Sequence, residues 1–107
     1  MSVGIIMGNV IGVYEIVASL TPSAVLTITA VEQTFTVTGL RVGDCVIVNP
    51  PGVTAGAVQT AARVSSADTL ALSYVNPTAG TVTPLAGNHT ITVFRPERGA
   101  AATTISD

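Results

Sequence analysis

At 107 residues, with 9% charged residues and a net charge of −2, the chain has room for one domain and one modest core. Its few basic residues are all arginines (Arg41, Arg63, Arg95, Arg98), and Glu97 separates the only two that lie close together. That balance excludes a basic groove, so nucleic acid is not an expected partner, and the single Cys45 excludes an internal disulfide framework.

Residues 1–20 are apolar, with Val3, Ile5, Ile6, Val10, Ile11 and Val13 among them, but they are broken by Gly4, Gly8, Asn9 and Gly12. The stretch lacks the basic start of a secretion signal, and Asn9, Tyr14 and Glu15 interrupt a membrane-spanning run, so no membrane partner is expected. It reads either as an extended arm that lies along a neighbouring surface or as the first strand of the domain.

From residue 21 the chain reads as short strands divided by turn chemistry. A strand over 24–31 and another over 34–40 form an expected hairpin, joined at Glu32-Gln33. Arg41-Val42-Gly43-Asp44 is a turn, with Gly43 free to take positive φ and Asp44 able to bond its own backbone. A strand over 45–49 stops at Pro50-Pro51-Gly52. Strands follow over 59–64, 69–76 and 89–95, the last closed by Pro96. Cys45 opens the apolar run Cys45-Val46-Ile47-Val48 and is expected to pack as a small hydrophobe, and Tyr74, alternating with Leu70 and Leu72, is expected in the core.

Several of these segments alternate hydroxyl and hydrocarbon: Val25 to Thr29, Thr34 to Thr38, and Thr90 to Val93. A period of two sends successive side chains to opposite faces of a sheet, which leaves one face oily and the other coated in neutral hydroxyls. No stretch shows helical spacing. The expectation is an all-β fold, a single small β-sandwich or barrel of about six to eight antiparallel strands with an extended N-terminal arm. Residues 1–20 are the arm or first strand, 21–96 the β-domain and 97–107 a loose tail.

The chain contains no lysine, and its mean hydropathy is +0.63. Such a surface suits a chain packed against its own copies or a larger assembly. Expected contact residues are Val3, Ile5, Ile6, Val10, Ile11 and Val13, together with the hydroxyl rows Thr34, Thr36, Thr38 and Thr90, Thr92. The hydroxyl rows equally suit a solvated sheet surface.

Catalytic chemistry finds no constellation. Asp44 and Asp68 sit where turns favour aspartate, His89 is the only histidine, and one Cys with one His does not make a structural metal site. No phosphate-cradling glycine loop opens a helix. The expectation is no enzyme, no cofactor and no metal.

The runs TFTVTGLRVGDCVIVNPP, TAGAVQTAARVSSADTLALSYVNPTAG and HTITVFRPE carry a resemblance. They resemble small virion proteins of tailed-phage structural gene clusters, in which a GL-x-VGD-x-V-x-V-x-P strand-turn-strand precedes an A-x-V-x-x-x-D-T-L-x-L-x-x-x-N-x-T-A-G segment and a T-I-x-V-F-R-P strand. The resemblance implies a capsid decoration (cement) protein that trimerises on the shell, with the major capsid protein and its own copies as partners. It implies a location on the virion surface and leaves head-fibre, tail and receptor-binding modules as the alternative.

Overall fold

The computed structural model describes residues 10–96, with the side chains described from residue 12 onward. The described residues are all-β, without a helix: β1 (Val10–Leu20), β2 (Thr29–Thr36), β3 (Cys45–Asn49), β4 (Val58–Ser66), β5 (Thr69–Asn76) and β6 (Gly87–Pro96). They form two three-stranded antiparallel sheets, ordered β1-β6-β3 and β2-β5-β4. The chain passes back and forth between the sheets, and among the described strands only β4 and β5 are consecutive neighbours in one ladder.

The two central strands carry the interior. In β5, Leu70 and Leu72 are fully buried and Tyr74 nearly so; in β6, Ile91 and Val93 are buried in turn. With Leu20, Val25, Val37, Leu40, Val46, Val48 and Val64 they form one apolar cluster drawn from both sheets. Alternation explains the membership, since each inward residue is flanked by outward ones.

The strands over 45–49 and 69–76 have the expected bounds, and those over 59–64 and 89–95 extend by a few residues. The expected hairpin over 24–40 does not form. Thr27 and Ile28 make a turn, with Ile28 at φ 50°, and β2 runs straight through Glu32 and Gln33 to pair with β5. Both polar residues find partners on the strand. Gln33 accepts from the Ser23 amide (2.8 Å) and donates to the Ser23 carbonyl (2.9 Å), while Glu32 accepts twice from Arg63 at 2.7 and 2.8 Å.

Residues 10–20 form β1, hydrogen-bonded along β6 from Val10↔Pro96 to Leu20↔Gly87. Residues 1–9 and 97–107, and with them the expected contacts at Val3, Ile5 and Ile6, lie outside the described residues.

Two polar nodes pin the ends. At one end Asp44, buried between the sheets' connections, accepts from Arg95 Nε (3.0 Å) and from its terminal nitrogen (2.8 Å), and also from the Arg41 amide (2.9 Å). Arg95 donates further to the Gly39 carbonyl (2.7 Å), and the Gly39 amide donates to Asp68 Oδ1 (2.7 Å). The 37–40 segment is thereby tied to the β4–β5 turn and to β6. Gly39 and Gly43 take φ of 104° and 99°, a region where a Cβ would be strained. At the other end Asn76 organises the 76–82 connection.

Candidate interaction face

Side-chain alternation gives the first sheet one inward and one outward face. Along β1 the outward residues are Val13, Glu15, Val17 and Ser19; the register aligns them with Phe94, Thr92, Thr90 and Asn88 of β6. On the far side β3 places Cys45 beside Phe94, Ile47 beside Thr92 and Asn49 beside Thr90. Rows Val13–Phe94–Cys45, Glu15–Thr92–Ile47 and Val17–Thr90–Asn49 therefore form a surface with one charge, Glu15. Val13, Val17 and Ile47 are 49%, 58% and 61% exposed. Each of Val17 and Ile47, being more than half exposed, has on the order of 1 kcal/mol of transfer free energy still to gain on burial.

The second sheet differs. Its outward face carries Thr34, Thr36, Ser66 and Ser73, and the Glu32–Arg63 pair spans β5 from one edge strand to the other. The ion pair sits in solvent, with 63% of the Arg63 side chain and 34% of the Glu32 side chain accessible. Hydrogen bonding from Arg63 holds the Glu32 carboxyl below its ordinary range. Exposed pairs contribute little and are screened by salt. Glu32→Gln is therefore expected to leave the thermal midpoint nearly unchanged, with any small difference removed in molar salt, as read by circular dichroism melts.

The expected contact residues thus divide. Val13, Thr90 and Thr92 share the outward face of the first sheet. Thr34 and Thr36 lie on the outward face of the second, and exposed Thr38 stands in the turn after β2. Val10 and Ile11 belong to β1. Cys45, expected in the core, is exposed. Val46 and Val48 take the inward positions of β3, so its odd-numbered residues must face out. Val17, Ile47 and Phe94 are face residues that sequence reasoning misses; their membership depends on the β1-β6-β3 register, which no single segment displays.

Among the described residues β1 is also an edge strand, paired on one side only, and over its eleven residues it carries no proline, no lysine and one charge. An edge without such blocking devices is open to strand addition. Its inward side ends in Tyr14, over whose ring the Arg95 guanidinium sits at 5.2 Å from the centroid.

The quoted sequence motifs map mainly to scaffold. Asp44, Asp68 and Arg95 build one polar node, while Asn76, Thr78 and Gly80 build the other. Asp44 and Asp68 bond backbone amides at turns, in line with the turn chemistry expected for both. Among the described residues no three His, Cys, Asp or Glu side chains come together as a metal-binding group, and no helix is long and apolar enough to cross a membrane. Comparison with protein-family models, curated proteins and solved structures finds no match to this chain.

Proposed function

We propose that the chain is a non-catalytic structural subunit of a tailed-phage virion, of the capsid decoration type. It binds the major capsid protein and its own copies, as a trimer on the shell, through the outward face of the first sheet. The observation that carries this reading is that face: three β-branched side chains about half exposed, hydroxyls between them, and one charge across three strands. Threonine suits such a joint because its hydroxyl can be satisfied by a single neutral hydrogen bond, whereas a buried lysine requires an ion-pair partner. The absence of lysine and the resemblance of the 34–96 stretch to phage virion proteins support the same reading.

Decoration works by repetition. Each contact buries a modest apolar area at roughly 25 cal/mol per Å², less the cost of ordering, and the gain is multiplied over the shell. The copy number of the chain per major capsid subunit in purified virions, measured by quantitative mass spectrometry, tests the assignment. A ratio near one, or a fixed large fraction of it, is expected. A handful of copies per particle would move the chain to a tail or fibre, and absence from the particle would overturn the reading.

The face itself is tested by substitution. Val17→Lys with Ile47→Lys is expected to leave the fold intact, because both side chains already face solvent. Particle occupancy is expected to fall at least about tenfold, which corresponds to about 1.4 kcal/mol. Unchanged occupancy would remove this face from the contact.

A further inference from the structure

We infer that the loop end of the fold is a self-association surface, where the chain meets the same end of a second copy across a two-fold axis. The strand registers gather three connections at this end: residues 21–28 join Leu20 to Thr29, 50–57 join Asn49 to Val58, and 77–86 join Asn76 to Gly87. The loops hold one another in place. Val25 and Val82 exchange amide bonds, and the Thr27 hydroxyl donates to the Thr78 carbonyl. A Cβ at Gly56 would meet Thr78 Cγ2 at 2.9 Å, and one at Gly52 would meet Leu85 Cδ2 at 2.9 Å. Five of the chain's six prolines fall in these loops, so little conformational freedom is left to lose on docking.

The surface they present is apolar. Leu26, Ile28, Val53 and Leu85 are 63%, 73%, 90% and 47% exposed. Together they show on the order of 500 Å² to solvent, the upper part of the range for a monomer's largest patch. A standard interface buries about 800 Å² on each partner, and the exposed small residues between these four supply the remainder. Ile28 is held outward in the left-handed region at φ 50°, an unfavourable conformation for a β-branched residue.

Charge decides the occupant. The three loops contain no Asp, Glu, Lys, Arg or His, whereas Arg41, Asp44, Asp68 and Arg95 gather at the opposite end. A two-fold axis sets a surface against itself, so any charge on it would face its own kind, and here there is none. Exposed Thr81 and Thr83 suit the same arrangement, since a hydroxyl both donates and accepts and can pair with its own copy. A lipid surface fits less well. The loops carry neither basic residues to attract anionic headgroups nor aromatic side chains for the membrane interface. The surface is distinct from the outward face of the first sheet, and the inference does not rest on the decoration reading.

Sedimentation equilibrium of the full chain up to millimolar concentration is the test, with Val17→Lys and Ile47→Lys present so that the first-sheet face cannot contribute. A monomer–dimer equilibrium is expected. Adding Leu26→Arg and Val53→Arg, whose side chains already face solvent, is expected to keep the fold by circular dichroism and to weaken the dimer at least tenfold. A chain that stays monomeric at millimolar concentration, or forms a species other than a dimer, would overturn the inference. A dimer weakened less than tenfold by the two arginines would do the same. Flotation of the chain with phosphatidylcholine vesicles, lost in the arginine variant, would assign the loops to lipid instead and overturn it as well.

Discussion

Replacing Asp44 with alanine is expected to lower the unfolding free energy by about 3 kcal/mol, the low end for breaking a buried ion pair. Only 2% of the Asp44 side chain and 12% of the Arg95 side chain is accessible. The loss goes beyond one pair. Asp44 also holds the Arg41 amide, and Arg95 reaches the Gly39 carbonyl, so the alanine variant frees the turn before β3 and the segment that carries the chain between sheets. Hydrogen bonding from Arg95 holds the Asp44 carboxyl below its ordinary 3.8, with the Arg41 amide and the arginine charges adding to the effect against burial. A depressed pKa contributes stability that is complete above the unfolded value of about 3.9 and is lost as pH falls through the lower folded value. The gap between the wild type and Asp44→Asn in chemical denaturation is therefore expected to be constant near neutrality and to close below about pH 4. A loss under about 1 kcal/mol, or a gap that does not change with pH, would mean that the pair behaves like an exposed one.

Asn76→Ala is expected to cost about 4 kcal/mol, because four hydrogen bonds of a fully buried side chain go at once. Asn76 donates to the Val25 carbonyl (2.9 Å) and the Gly80 carbonyl (2.8 Å), and accepts from the Thr78 amide (2.9 Å) and hydroxyl (2.6 Å). Those bonds fold the 76–80 turn and set it against the bridge in which Val25 and Val82 exchange amide bonds at 2.8 and 3.1 Å. Amide exchange at Val25 and Val82 is expected to accelerate in the variant. Asn76→Asp gives the sharper test. At neutral pH its carboxylate would face two carbonyl oxygens with no proton to offer, so destabilisation at least equal to that of alanine is expected. Burial and the carbonyls raise the pKa of such a carboxyl. On that sign the variant is expected to recover stability as pH falls through the raised value and the acid regains one donor. An Asn76→Asp variant as stable as wild type at pH 7 would contradict the role assigned to the donor bonds.

Local chemistry made parts of the fold legible in the sequence. β3 lies between Gly43-Asp44 and Pro50-Pro51-Gly52, and β5 between Asp68 and Asn76-Pro77, so their bounds follow from turn residues on either side. The all-β class follows from the same punctuation and from alternation. The 24–40 region misleads because a polar pair inside an apolar stretch looks like a turn. Glu32 belongs on a strand only because Arg63 stands two strands away, and Gln33 only because Ser23 folds back onto it. Neither partner is local. Cys45 shows a different failure: an apolar neighbourhood passes for an interior, although alternation with Val46 and Val48 already places the thiol outside.

The candidate face was legible one strand at a time. Thr90 and Thr92 are visible as an outward row from the β6 pattern alone. Val13, Val17 and Ile47 join them through register, which depends on β1 and β3 choosing opposite sides of β6 across more than thirty residues of intervening chain.

Cys45 offers the most direct measurement of the central claim, because the chain's one thiol stands on the proposed contact face beside Phe94. Isotope-coded alkylation would compare its labelling rate in the isolated chain and in intact purified virions, read by mass spectrometry. Rapid labelling of the free chain and at least tenfold protection on the particle is the expected result. Equal labelling in both states would show the outward face of the first sheet open to solvent in the assembly, and would contradict its role in binding the shell.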